Sequence, residues 1–350
     1  MSLFTFHILV SYLRNTSLIV LLVFIALFPL IVSAQNTQLD PKQDVSAIID
    51  APASNASAGK EAAKYKEVTI ENLLNDVVNA NRYYSYKGLL TYEANGSLST
   101  LSLDQRIDSE GDFNRVYQTL AFLNGESRRV LREQELNYCV GGSTRWGLWP
   151  SVFSQDELQN SYTISFQGQS RVANRGTLVI YFEPKDEFRY GYRFDIDQQT
   201  GLILRSAILE GSNIIERTQF VSLDLSRKQQ AVEDSSNYDV SWRVPEVEPC
   251  HTEQFESAWD VEWLPKGFTS AGNRITAQGE HVLMFTDGLV SVSVFISSSI
   301  YKEVPKVTAR RGATIAVMSP LAFDTTKTVA VVGEIPTVTA RRMAVSVKSK

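Results

Sequence analysis

Tyr84-Ser-Tyr-Lys-Gly-Leu-Leu-Thr-Tyr-Glu-Ala-Asn-Gly-Ser-Leu-Ser-Thr-Leu-Ser-Leu-Asp-Gln-Arg-Ile107 decides how the chain folds. It reads as two strands joined at Asn95-Gly96. Asn-Gly is a strong hairpin signal, because both central residues of a type I′ turn need φ > 0. Tyr84, Tyr86, Leu90 and Tyr92 share one face of the first strand, and Leu101, Leu103 and Ile107 one face of the second. Side chains alternate across a strand, so this period of two makes one side of the ribbon apolar. The reading is a hairpin that opens a long antiparallel sheet curved around an apolar hollow. Tyr86, Leu90, Tyr92, Leu101 and Leu103 are expected to line it.

Working outward, turn signals recur about every ten residues: Asp108–Asp112, Asn124-Gly125, Gly141-Gly142, Asn174–Gly176, Pro184–Glu187, Asp197–Gly201 and Gly211–Asn213. Short strand-like runs at such spacing indicate an antiparallel sheet, sandwich or barrel. With one or two helices to fill it, a half-open barrel capped by helix is the economical form. Thr69 to Ala80 supplies a helix, since Ile70, Leu73, Leu74, Val77 and Val78 fall on one face and Thr69 suits an N-cap. Its apolar face is expected against the first hairpin. Ser143 to Phe153 interrupts the strands and carries Trp146 and Trp149, read as a plug over the hollow or as a contact surface.

Before this body, residues 1–34 carry Arg14 as their one charge and an apolar run from Leu18 to Val32, followed by Ser33-Ala34. That is the pattern of a cleaved secretory signal. Residues 35–66 have no apolar period and read as a disordered linker. The large sheet domain is expected over 67–225, a polar linker over 226–258, and a smaller α+β domain over 259–350. The small domain shows a second hairpin at Asp287-Gly288, strands near Ala313–Met318 and Thr328–Val332, and a helix from Pro336 to Val347 with Val338, Met343 and Val347 along one side.

Charge is unevenly placed. Residues 259–350 hold 11 Lys/Arg against 7 Asp/Glu, whereas residues 35–258 hold 22 against 32. No dense basic stripe marks a nucleic-acid binder. A cationic module on an acidic body suits docking to an acidic protein segment or to anionic lipid headgroups, with Arg310, Arg311, Arg341 and Arg342 as the expected contacts for an acidic partner. It suits equally well attraction between the two domains. Cys139 and Cys250 can pair in an exported chain or stay as two free thiols.

Catalytic signatures are lacking. His7 lies in the signal, and His251 and His281 form no metal-ligand spacing. Asp195-Ile-Asp197 opens a turn, where Asp is ordinary. No nucleophile elbow, phosphate loop or dinucleotide fingerprint occurs. The residues therefore point to a non-enzymatic exported binding protein, without metal or cofactor.

Several stretches resemble the MucB/RseB family. They are Ser85–Thr100, Tyr138-Cys-Val-Gly-Gly142, Gly168–Ala173, Arg189-Tyr-Gly-Tyr192 and Asp197–Leu202, then Trp263-Leu-Pro-Lys-Gly-Phe268, Asp287–Phe295 and Val331–Pro336. The resemblance covers roughly 67–348, in order. It implies a half-barrel of the LolA/LolB kind plus a smaller domain, in the periplasm. It also implies binding to the periplasmic segment of a membrane anti-sigma factor of the RseA/MucA type. That binding would shield the anti-sigma factor from its first protease until lipopolysaccharide or another lipid releases it. The Cys pair also looks like that of some family members. A lipid or lipoprotein carrier without a regulatory partner is the competing reading, and a homo-oligomer is left open.

Overall fold

The structure is a computed structural model and describes residues 69–108, 115–125, 127–135, 155–226, 242–244, 256–276, 279–298 and 306–350. Strand β1 (Ser85–Ala94) and strand β2 (Ser97–Asp108) form the first hairpin. Asn95 (φ 52°) and Gly96 (φ 71°) make its two-residue turn, and Ala94 faces Ser97. Leu90 lies opposite Leu101, and Tyr86, Leu90, Tyr92, Leu101 and Leu103 are all buried, so the register is the one the alternation predicts. Gly88 is forced by packing: a Cβ there would stand 2.7 Å from the Phe220 ring, which meets Tyr86 edge-on at 5.9 Å.

The hairpin sits inside a ten-stranded sheet. Its further strands are β3 (Arg115–Phe122), β4 (Arg128–Glu135), β5 (Tyr162–Val172), β6 (Arg175–Pro184), β7 (Gly191–Asp197), β8 (Ile203–Glu210), β9 (Asn213–Ser226) and β10 (Trp242–Val244). The spatial order is β10-β4-β3-β2-β1-β9-β8-β7-β6-β5. All pairs are antiparallel except β10 with β4. The edges β10 and β5 do not pair, so the sheet is an open half-barrel. Bulges at Leu89/Leu90, Phe166/Gly168, Asp195/Ile196 and Ile208/Leu209 bend its strands.

The inner face runs on across the sheet in register. Leu178 faces Ile196, Ile180 faces Phe194 and Phe182 faces Tyr192. Further along, Thr218 faces Tyr92 and Phe220 faces Leu90. Helix α1 (Ile70–Tyr83) is capped by the Thr69 hydroxyl, which accepts from the Asn72 N–H at 3.1 Å. Its Leu73, Leu74 and Val77 join the cluster of Leu178, Ile180, Phe182, Phe194 and Ile196. The helix thus covers the far half of the sheet and not the hairpin it precedes. One residue, Tyr84, separates it from β1, which leaves no slack for doubling back. At the β7–β8 turn a Cβ on Gly201 would lie 2.6 Å from the Asp76 carbonyl oxygen, so the turn touches the helix backbone directly.

After helix α2 (Gln155–Ser161) and the second half of the large sheet, the chain builds a six-stranded sheet. Its strands are β12 (Thr269–Ile275), β13 (His281–Thr286), β14 (Ser291–Ser298), β15 (Val307–Arg311), β16 (Thr314–Leu321) and β17 (Asp324–Gly333). Their order is β12-β13-β14-β17-β16-β15. Val292, Val294, Ile296, Ile315, Val329 and Val331 form its buried side, closed by helix α3 (Thr337–Val345). The C-terminal helix is shorter than the sequence suggests. Ser346 ends it by donating its N–H and hydroxyl to the Met343 carbonyl, and β18 (Val347–Ser349) then pairs with β11 (Trp259–Val261). The buried face of α3 is Thr339, Ala340, Met343 and Ala344, while Val338 is exposed. One expected turn is displaced: the β5–β6 tip is Ala173-Asn174, with both φ positive, starting one residue before the expected stretch.

Among the described residues, no helix is long and apolar enough to cross a membrane.

Candidate functional site

The sequence places its chemistry-bearing side chains where the two sheets meet. The β13–β14 turn of the small sheet carries Asp287, and its Asp-Gly step projects the carboxylate into the large sheet. One carboxylate oxygen accepts the backbone N–H groups of Leu289 and Val290, each at 3.0 Å, as Asp does in a turn. The other accepts the Tyr162 hydroxyl and the Arg189 Nη1, again at 3.0 Å each. Arg189 lies in the β6–β7 loop and holds Asp186 through two bonds of 3.0 Å and the Lys266 carbonyl at 2.6 Å. The side chains of Arg189 and Asp287 are both wholly shielded from solvent.

Burial pushes the Asp287 carboxyl up, against the pull of Arg189, the two amides and the Tyr162 hydroxyl. Burial pushes the Tyr162 phenol well up, and the charge of Asp287 adds to it. For Arg189 burial acts downward, but hydrogen bonding by Asp186 and the charge of Asp287 outweigh it, and the net shift is upward. Every donor of this cluster that the chain buries has an acceptor, which is the condition for a buried ion pair to hold.

Two more contacts complete the seam. The Glu216 carboxylate on β9, itself buried, accepts the Ala313 N–H at 3.0 Å. The approach is so close that Gly312 (φ 55°) has no room for a Cβ. Beside it Arg310 pairs with Glu210 at 3.0 Å and donates to the Tyr190 hydroxyl at 3.2 Å. On the other flank, the Thr339 hydroxyl donates to the Phe188 carbonyl at 2.8 Å. Arg342 lies 4.1 Å from the Trp263 ring centre and 5.5 Å from that of Phe188.

Away from the seam, the large sheet carries an open cavity of about 490 Å³. Its walls are mostly the side chains that alternate with the buried ones: Lys87, Leu89, Asp104, Arg106, Tyr117 and Arg129. Leu103 and Leu131 also border it. Lys87 and Arg106 both pair with Asp104, at 3.2 and 3.1 Å.

The expected site residues divide accordingly. Of the five expected to line a hollow, Leu103 borders this cavity. Tyr86, Leu90, Tyr92 and Leu101 do not border it and are buried; Leu103, on the same face as Leu101, reaches the cavity's edge. Trp146, Trp149, Cys139 and Cys250 lie outside the described residues. Among the four arginines, Arg310 is drawn into the seam, whereas Arg341 and Arg342 are exposed on α3. The Asp195-Ile-Asp197 pair is held by arginines: Asp195 by Arg205 and Asp197 by Arg175. Among the described residues no cluster of three His, Cys, Asp or Glu is placed to hold a metal. Reading the sequence missed Arg189, Glu216 and Phe188. Asp287 was visible as a turn residue, but nothing local signals a partner 98 positions away.

The comparisons agree with this two-sheet plan. The MucB/RseB N-terminal domain matches residues 69–238 and the MucB/RseB C-terminal domain matches 253–348. The sigma factor AlgU regulatory protein MucB of Pseudomonas aeruginosa is 33% identical over 289 residues, covering 79% of this chain and 89% of that protein. In the complex of Pseudomonas aeruginosa MucA and MucB, a chain 31% identical superposes with a TM-score of 0.61, over 80% of this chain and 98% of that one. MucB in complex with MucA(peri) gives 30% identity and a TM-score of 0.59, over 81% and 99%. With both sheets matched in order, the chain belongs to the MucB/RseB family of sigma-factor regulatory proteins.

Proposed function

We propose that this chain is a periplasmic regulator that holds the periplasmic segment of a membrane anti-sigma factor of the MucA/RseA kind. Held in this way, the anti-sigma factor is shielded from site-1 proteolysis, and the envelope-stress sigma factor stays restrained. Lipopolysaccharide or another lipid that engages the large sheet releases the segment. Residues 1–34 direct export, and the chain acts by binding, with no catalytic step of its own.

The observation that carries this reading is that likeness to the chains of the MucA/MucB complexes extends over about 80% of this chain and nearly the whole of those chains. The cavity supports the lipid part of the reading. Leu89, Leu103 and Leu131 offer apolar wall, and the three cations Lys87, Arg106 and Arg129 outnumber the two carboxylates Asp104 and Asp224 beside an anionic headgroup. Each buried methylene contributes about 0.8 kcal/mol, so one acyl chain supplies a useful affinity.

The test is retention. The mature chain is immobilised and exposed to the periplasmic segment of the anti-sigma factor from its own genome. Micromolar or tighter binding, with slower cleavage of the bound segment by the site-1 protease, is expected. Lipopolysaccharide then elutes the segment. Absence of retention, together with extraction of lipid from vesicles, leaves a carrier of the LolA/LolB type in its place.

A further inference from the structure

We infer that the outer face of α3, backed by Trp263 and Phe188, is a docking surface for an acidic, amphipathic protein segment. The inference rests on the proposed anti-sigma reading and adds to it where the segment is gripped and by which chemistry.

The face is Val338, Arg341, Arg342 and Val345. These positions lie three or four apart and so stack along one side of a helix. Both valines are open to solvent, Val338 by 51% and Val345 by 68%, although the opposite side of the same helix is fully packed. The helix Thr-Val-Thr-Ala-Arg-Arg-Met-Ala-Val contains no acid, so neither arginine has a partner on its own helix.

Arg342 is the centre of the patch. Its guanidinium rests on the Trp263 ring at 4.1 Å and near Phe188 at 5.5 Å, and these two rings meet edge-on at 5.0 Å. Phe188 comes from the large sheet and Trp263 from the small one, so the platform bridges the seam. Arg175, Arg189, Arg205, Arg217 and Arg310 each have a carboxylate within salt-bridge distance. Arg341 has the Thr308 hydroxyl at 3.4 Å, and among the described residues no carboxylate pairs with Arg341 or Arg342.

A guanidinium whose carbon sits over an aromatic ring can still turn its N–H groups outward. Such an N–H edge matches a carboxylate through two parallel bonds. The valines, one turn to either side, match apolar residues flanking that carboxylate. The excess of 11 basic over 7 acidic residues in 259–350 steers such a segment toward this module. An anionic lipid surface shares the charge preference. Two valines, however, bury too little apolar area to hold a protein at a membrane without a second anchor.

The experiment measures the affinity of the mature full chain for the anti-sigma periplasmic segment at low and high salt, with MucA(peri) as a second probe. Arg341→Glu/Arg342→Glu is expected to weaken binding at least tenfold and flatten its salt dependence, with an unchanged melting temperature. Arg342→Lys, which keeps the charge but loses the planar fork, falls between. Arg342→Gln carries the test if the double variant does not fold. Arg274→Glu, an exposed reversal elsewhere in the same module, leaves affinity within twofold. Wild-type binding with undiminished binding by the α3 variants overturns the inference and leaves the anti-sigma reading standing. No wild-type binding to either probe removes both. Loss of binding to anionic phosphatidylglycerol vesicles, with segment affinity intact, assigns the face to lipid and overturns the inference.

Discussion

Arg189 and Asp287, 98 residues apart in sequence, meet at 3.0 Å in a place from which water is excluded around both side chains. They come from different sheets, one from the loop before β7 and the other from the tip of the β13–β14 hairpin. A buried ion pair returns little net stability when intact, because desolvation offsets its attraction, but losing one member strands the other charge. The pair therefore penalises any arrangement of the two sheets other than this one more than it stabilises this one.

Asp287→Ala and Arg189→Ala are each expected to cost about 3–5 kcal/mol. Tyr162→Phe removes one hydrogen bond to the same carboxylate and should cost about 1–2 kcal/mol. Replacing both charges, as in Arg189→Met/Asp287→Leu, should cost much less than the two single changes added together. Urea unfolding of the four variants checks this, and additivity of the single costs would show that the two residues do not act as a pair.

Gly312 tests the other end of the seam. Its positive φ alone makes a side chain unfavourable by about 1–2 kcal/mol. A Cβ there would also displace the Glu216 carboxylate, which is buried and accepts the Ala313 N–H. Gly312→Ala should therefore cost about 2–4 kcal/mol. Gly96→Ala is the matched control, because its φ is also positive but nothing lies within 4 Å. Equal losses in thermal unfolding would mean that the seam contact at Glu216 contributes nothing.

What could be read from the sequence was local. Asn95-Gly96 declares its two-residue hairpin because the turn chemistry and the alternating strands lie close together; Asp287-Gly288 also marks a hairpin, but its loop runs from Asp287 to Val290 and Thr286 faces Ser291, two residues longer than the bare Asp-Gly turn expected. Thr69 and the Ile70–Val78 stripe declare α1 because they too lie close together. The face that α1 covers was not legible. Leu178 and Ile196 offer the same kind of apolar surface as Leu90 and Leu101, and the choice turns on where the one-residue link through Tyr84 sends the helix. Arg310 and Arg342 look alike in sequence, yet one pairs with Glu210 across the seam and the other rests on Trp263. That difference is set by residues 100 and 79 positions away, where no pattern in one sequence reports it.

The hairpin's two faces should differ sharply on truncation. Leu101 is wholly buried opposite Leu90, whereas Leu98 on the same strand is exposed. Leu101→Ala should cost about 2–5 kcal/mol through lost burial and the cavity left behind. Leu98→Ala should stay within about 0.5 kcal/mol. Similar costs at the two positions in denaturant titrations would refute the strand register on which the large sheet is built.

Alkaline titration gives the last test. Burial pushes the phenols of Tyr86, Tyr162 and Tyr192 well above the usual tyrosine range, and that of Tyr190 to about 12. The unfolded chain loses these protons near pH 10, while the native state keeps them. Above pH 10 the unfolded state therefore binds fewer protons, and stability falls as pH rises. The contribution is fully present below pH 10 and declines by about 1.4 kcal/mol per pH unit for each such tyrosine. Absorbance at the phenolate band should show these groups ionising together with unfolding, as one steep step. Smooth ionisation of every tyrosine near pH 10, with the fold intact, would mean that Tyr162 and Tyr192 are not enclosed at the seam.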